Sequence, residues 1–135
     1  EAAKVKVYWV PTQAELSLNG DYDRLHQVLL NLMENTARHA PESNLDIRSG
    51  FDQNEVVILL SDNGPGVSEA DLPHVFDRFY RTEQSRNRVS GGSGLGLAIC
   101  QELMQAHQGR ISVRRGSFGG LEIELRWPLL EKKNE

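Results

Sequence analysis

Five consecutive apolar residues, Val56-Val57-Ile58-Leu59-Leu60, are followed at once by Ser61-Asp62-Asn63-Gly64-Pro65-Gly66. So short a run, rich in β-branched residues and stopped by turn formers, predicts a central strand covered on both faces. Alternating stretches lie to either side. Val5, Val7 and Trp9 alternate with Lys4, Lys6 and Tyr8, Ala14 to Leu18 reads as a short strand, and Leu45, Ile47 and Phe51 mark another. Near the end, Ile111 to Arg115 and Leu121 to Trp127 predict a hairpin around Ser117-Phe118-Gly119-Gly120. In its second strand Leu121, Ile123, Leu125 and Trp127 face inward and Glu122, Glu124 and Arg126 outward.

Helices separate these strands. Asp21 and Asp23 open one whose Leu25, Val28, Leu29, Leu32, Met33 and Thr36 share a buried stripe, and Pro41 ends it. Ser68-x-x-Asp71 is a capping box, which predicts a short helix from Leu72 to Val75. A third helix runs from about Gly94 to His107, with Gly109 as its terminator. Between them Thr82 to Ser93 reads TEQSRNRVSGGS, with Val89 its only large apolar residue, so it adds little to a core. The expected fold is α+β: a two-layer sandwich with one mixed, mainly antiparallel sheet, covered on one face by about three helices. A mobile lid precedes the last long helix, and residues 1–135 form one domain.

Charge and composition exclude several functions. The net charge of -4 leaves no broad cationic surface, so nucleic acid is not an expected partner. Cys100 is the only cysteine, which excludes an internal disulfide and a cysteine-cluster zinc site; it reads as a small core residue, as do Trp9 and Trp127. His26, His74 and His107 have no partners at metal spacing. No apolar run approaches the ~20 residues that cross a bilayer. The chain begins at Glu1 rather than Met, and a fragment of a longer protein is expected.

Three features carry chemistry. On the first helix Gln27, Asn31, Glu34, Asn35 and Arg38 gather within about 100° of arc, either as a solvated face or as a ligand face. An asparagine oxygen suits Mg²⁺, and an arginine one turn on suits phosphate. Asp62 to Gly66 is either an Asn-Gly hairpin turn or a base pocket, in which a buried carboxylate accepts from an exocyclic amine while glycines admit a flat ring. Gly91-Gly92-Ser93-Gly94-Leu95-Gly96-Leu97-Ala98 is either a flexible loop or an anion-binding helix start. It lacks the Lys-Ser or Lys-Thr of a P-loop and the third glycine of GxGxxG.

In order and content these features resemble a family. Asn31-Leu-Met-Glu-Asn35-Thr-Ala-Arg38-His39-Ala resembles the N box of sensor histidine kinase catalytic domains, and Asp62-Asn-Gly64-Pro-Gly66 their first glycine box. Phe76-Asp-Arg-Phe79-Tyr80-Arg81 is similar to the F box and Gly92-Ser-Gly94-Leu-Gly96-Leu97 to the second glycine box. Gly119-Gly120 is only a loose match to a third glycine element, and a plain hairpin turn is the favoured reading. The resemblance implies the α/β sandwich of the GHKL, or Bergerat-type, ATPases, with ATP and Mg²⁺ as cofactors. Asn35 would ligand the metal, Asn31, Arg38 and His39 would stand near the nucleotide, and Asp62 would accept from the adenine amine. Gly64 and Gly66 would line the base pocket, while Gly92, Gly94, Leu95, Gly96 and Leu97 would wrap the phosphates, joined by Tyr80 and Arg81. Glu34 and Arg81 are the candidate catalytic residues, and Phe76 and Phe79 would anchor the lid.

The implied reaction is transfer of the ATP γ-phosphoryl group to a histidine of a separate dimerisation domain of the same protein, and onward to a response regulator. No histidine here has the acceptor's sequence context, so the fragment is expected to be monomeric and to label itself poorly, the parent protein being dimeric. A cytoplasmic position in an inner-membrane sensor protein goes with this. An anti-sigma-type serine kinase, a gyrase- or chaperone-like ATPase using Glu34, and a regulatory nucleotide-binding module remain as alternatives.

Overall fold

The computed structural model describes residues 6–10, 22–78 and 96–128. Five strands, β1 (Lys6–Val10), β2 (Asn44–Asp52), β3 (Glu55–Asp62), β4 (Arg110–Arg115) and β5 (Leu121–Pro128), form one sheet in the order β1-β2-β3-β5-β4. β1 runs parallel to β2 and every other pair is antiparallel, the mixed arrangement that the hairpin-linked patterns predict. Helices α1 (Tyr22–His39) and α2 (Gly96–Ala106) lie on one face.

The core between the layers follows from the two periodicities. Val28 and Leu32 of α1 and Cys100 and Met104 of α2 meet Leu45, Ile47, Val56, Leu60, Ile111, Leu121, Ile123, Leu125 and Trp127 of the sheet. Each large aliphatic side chain fully removed from water contributes about 1.5–3 kcal/mol, so this interface dominates the stability. Thr36 completes the α1 stripe by returning its hydroxyl to the Leu32 carbonyl, 3.2 Å away.

Four expectations need correction. β3 is central, but the described helices cover only one of its faces: Val57 and Leu59 point away from the core and are half-buried. On that outer face Arg110 makes a two-pronged ion pair with Glu55, while Arg126 reaches Asp52, Glu55 and Glu124. Among the described residues this outer face thus carries charged side chains with long apolar stems rather than helices. Phe51, expected to face the core, is 58% exposed. Among the described residues β1 pairs with β2 only as far as Arg48, and Phe51 lies beyond that pairing.

The short helix expected from Leu72 to Val75 is a single 3₁₀ turn, Leu72–His74, so the described residues hold two α-helices. Ser68 and Asp71 do bond as a capping pair, with the Ser68 hydroxyl donating to the Asp71 carboxylate at 3.0 Å. Finally, α2 ends in a Schellman motif in which Gln108, not Gly109, takes the left-handed conformation, at φ 62°. The Gly109 N–H returns to the Met104 carbonyl at 2.8 Å and that of Gln108 to Gln105 at 3.1 Å. Gly109 is required for a different reason: a Cβ there would stand 2.7 Å from the Arg126 carbonyl oxygen.

The strand expected at Ala14 to Leu18 and the expected lid lie outside the described residues, as does the side chain of Trp9. Cys100 and Trp127 are core residues, as their sequence surroundings suggest.

Candidate functional site

Asp62 is the last residue of β3, and alternation along the strand decides where its carboxylate goes. Val56, Ile58 and Leu60 face the helices, and Asp62 continues that row at the end of the core, where it is only 6% exposed. Its Oδ1 accepts from the Gly64 N–H at 2.9 Å and from the Leu121 N–H at 3.4 Å. Burial raises its pKa, and these two backbone donors partly offset that. Both bonds go to Oδ1, which leaves Oδ2 to accept from a ligand.

Close backbone packing surrounds this carboxylate. A Cβ on Gly64 would lie 2.4 Å from the Ala40 Cβ, so the turn after β3 sits directly on the end of α1. A Cβ on Gly120 would lie 2.1 Å from Asp62 Oδ1 and 2.4 Å from the Asp62 carbonyl oxygen. Gly66 has φ 74°, and a side chain there would meet the Gly119 carbonyl oxygen at 3.4 Å. The ends of α1 and β3 and the β4–β5 turn therefore converge on Asp62. Gly120 is the residue that sequence reasoning undervalued. The signal was present: a hairpin of this kind needs one glycine with positive φ, here Gly119 at 91°, and the second glycine had no turn role.

The polar face of α1 divides on closer view. Asn31 and Asn35 are half-buried at the seam beside the core stripe, whereas Gln27, Glu34 and Arg38 are exposed and His39 is half-buried. On this seam Asn31 lies beside the Cys100 thiol of α2, which donates to the Val28 carbonyl oxygen at 3.8 Å. Burial pushes the Cys100 thiol up to about 11, so it is a packing group rather than a nucleophile. Gly96 opens α2 one turn before Cys100. Leu97 packs against the core, as does Phe76, and Arg78 forms an ion pair with Glu102 of α2.

Of the residues expected at a nucleotide site, Gly64 packs between Asp62 and Ala40 just after α1 and Gly66 lies against the β4–β5 turn, while Asn31, Asn35, Arg38 and His39 are carried by α1, and Gly96 and Leu97 stand at the start of α2. Glu34 is on α1 but exposed. Phe79, Tyr80, Arg81, Gly92, Gly94 and Leu95 lie outside the described residues.

Comparison with known proteins places the chain in a family. Residues 20–131 match the family described as histidine kinase-, DNA gyrase B-, and HSP90-like ATPase, and the chain belongs to that family. The signal transduction histidine-protein kinase BaeS of Escherichia coli K12 is 47% identical over 115 residues, which is 84% of this chain and 25% of that protein. The sensor protein SphS of Synechococcus elongatus is 41% identical over 121 residues, 82% of this chain and 29% of that protein. Among solved structures, the mycobacterial sensor histidine kinase MprB superposes with a TM-score of 0.81 at 26% identity, over 93% of this chain and 84% of that one. The chain therefore spans roughly a quarter of the curated relatives it matches.

Proposed function

We propose that this chain is a single Mg-ATP-binding catalytic domain that passes the ATP γ-phosphoryl group to a histidine on a separate dimerisation domain, in two-component signalling. The observation that carries the reading is Asp62, a carboxylate held at the end of the core by Gly64 and Leu121, with Gly64, Gly66 and Gly120 packed closely around it. An adenine amine donates to such an acceptor; the exocyclic oxygen of guanine does not, and leaving the buried carboxylate unpaired costs about 1–3 kcal/mol or more. ATP is therefore the nucleotide, not GTP.

Asn35 offers a hard amide oxygen at the half-buried seam, which fits Mg²⁺, an ion that takes few protein ligands and the rest from phosphates and water. When bound, the ion supplies neutralisation of phosphate charge. Asn31 and Arg38 lie on the same helix face and would meet the phosphates, with Gly92 to Leu97 wrapping them and Tyr80 and Arg81 closing the far side. In the transfer itself an imidazole nitrogen of the acceptor forms a bond to the γ-phosphorus as the bond to the bridging oxygen breaks and ADP leaves. Arg81 would stabilise the charge that develops. Exposed Glu34 would orient the incoming imidazole. The phosphohistidine would then donate to a response regulator, and the parent protein would be dimeric and membrane-anchored, with this domain on the cytoplasmic side. Among the described residues no helix is long and apolar enough to cross a membrane.

The test is incubation of the chain with ATP labelled at the γ-phosphate and a dimeric helical-hairpin fragment that carries an acceptor histidine. Acid-labile, alkali-stable label on the hairpin, lost in Asn35→Ala, is the expected result. Label on a partner serine would move the assignment to an anti-sigma-type kinase, and ATP binding without any transfer would leave a regulatory module.

A further inference from the structure

The direction in which Asp62 points depends on the backbone just after β3, and one side chain outside the glycine framework fixes that backbone. In the β2–β3 ladder Leu45 stands opposite Asp62, so Asn44 and Asn63 would form the next pair. Half of that pair is conventional, with the Asn63 N–H donating to the Asn44 carbonyl at 3.3 Å. The other half is not. The Asn44 N–H donates to the Asn63 side-chain oxygen at 2.7 Å, where a continuing strand would offer its main-chain carbonyl. The side chain thus replaces the main chain at the moment when the chain leaves the sheet, extending the ladder by one residue while freeing the backbone to turn toward Gly64.

We infer that Asn63 is a positioning residue for nucleotide recognition: its side-chain oxygen clasps β2 and thereby holds the Asp62 carboxylate toward the base. Three fixed points then surround the carboxylate. Gly64 rests on Ala40, the Leu121 N–H reaches Oδ1, and Asn63 anchors the intervening peptide to Asn44. Of these only Asn63 acts through a side chain that is itself exposed, so it adds nothing to the core and its removal is not a packing lesion. The clasp uses an acceptor alone, and therefore aspartate replaces asparagine while alanine and leucine do not. The inference rests on the proposed adenine site.

The experiment compares wild type with Asn63→Ala, Asn63→Leu and Asn63→Asp by calorimetric titration with Mg-ATP, and follows exchange of the Asn44 amide hydrogen without nucleotide. The loss of one net hydrogen bond is about a fivefold effect, so Asn63→Ala and Asn63→Leu should bind ATP roughly three- to tenfold more weakly, with fast Asn44 exchange. Asn63→Asp should stay within about twofold of wild type and keep the amide protected. Melting temperatures should fall by no more than the few degrees that one hydrogen bond contributes, which separates loss of aim from loss of fold. The wild-type titration tests nucleotide binding itself. Against a wild type that binds, unchanged affinity in Asn63→Ala, or an Asn63→Asp as weak as Asn63→Ala, overturns the clasp and leaves the proposed function standing.

Discussion

Gly120→Ala adds one methyl group at the point where the β4–β5 turn touches Asp62. The new Cβ would lie 2.1 Å from Asp62 Oδ1, 2.4 Å from the Asp62 carbonyl oxygen and 2.8 Å from its carbonyl carbon. None of these contacts is tolerable, and two of the three atoms are main chain, so either the turn lifts or β3 shifts at its end. Overpacking of this kind typically costs 1–3 kcal/mol. Lifting the turn also lengthens the Leu121 N–H contact to Oδ1, already 3.4 Å, which removes one donor from a buried carboxylate. Gly50→Ala is the matched control, because a Cβ there meets nothing within 4 Å. Urea unfolding followed by circular dichroism should therefore place Gly120→Ala about 1–3 kcal/mol below wild type and Gly50→Ala at or slightly above it. ATP affinity should fall at least tenfold in the first and stay unchanged in the second, the tenfold corresponding to ~1.4 kcal/mol. A Gly120→Ala variant as stable and as tight-binding as Gly50→Ala would refute the view that this turn is a wall of the site.

Other expectations follow from the same contacts. Because burial raises the Asp62 pKa, the folded chain holds that proton more tightly than the unfolded one; the linked stability is complete below the unfolded value and is lost as pH rises through the folded one. Asp62→Asn should thus keep or raise the urea midpoint at pH 7 while it abolishes ATP binding, and wild-type affinity for ATP should decline on acidification, at a higher pH than for an ordinary carboxylate. Cys100, wholly buried with its thiol raised to about 11, should resist a disulfide reagent at pH 8 until urea unfolds the chain, when one thiol per chain reacts. Asn35→Ala should leave ATP binding detectable but remove most of its dependence on Mg²⁺, as read by titration with and without a chelator.

Much of the fold was legible because its elements obey simple periods. The alternation of Leu121, Ile123, Leu125 and Trp127 gave β5 and its inward face, and the Val28, Leu32 and Thr36 stripe gave α1. What failed depended on neighbours distant in sequence. Phe51 keeps the same phase as Leu45 and Ile47 yet is exposed, because burial depends on which elements pack over that end of β2, which the local sequence does not carry. The apolar run at Val57 and Leu59 looks covered on both sides, yet among the described residues its outer face carries arginine–glutamate ion pairs across β3, β4 and β5 rather than helices. Gly109 was rightly marked as the end of α2 but for the wrong cause, since its necessity comes from the approach of Arg126 and Trp127. The site was similarly divided. Asp62 and the glycines after it were visible as a motif, whereas Gly120 matters only because the antiparallel β3–β5 pairing carries it to Asp62.

The claim that most needs testing is that Asp62 reads adenine. Calorimetric titration of wild type and Asp62→Ala with ATP and with GTP, each with Mg²⁺, addresses it directly. The account predicts that wild type binds ATP and not GTP, and that Asp62→Ala stays folded and binds neither. Equal binding of ATP and GTP by wild type, or ATP binding retained in Asp62→Ala, would contradict it.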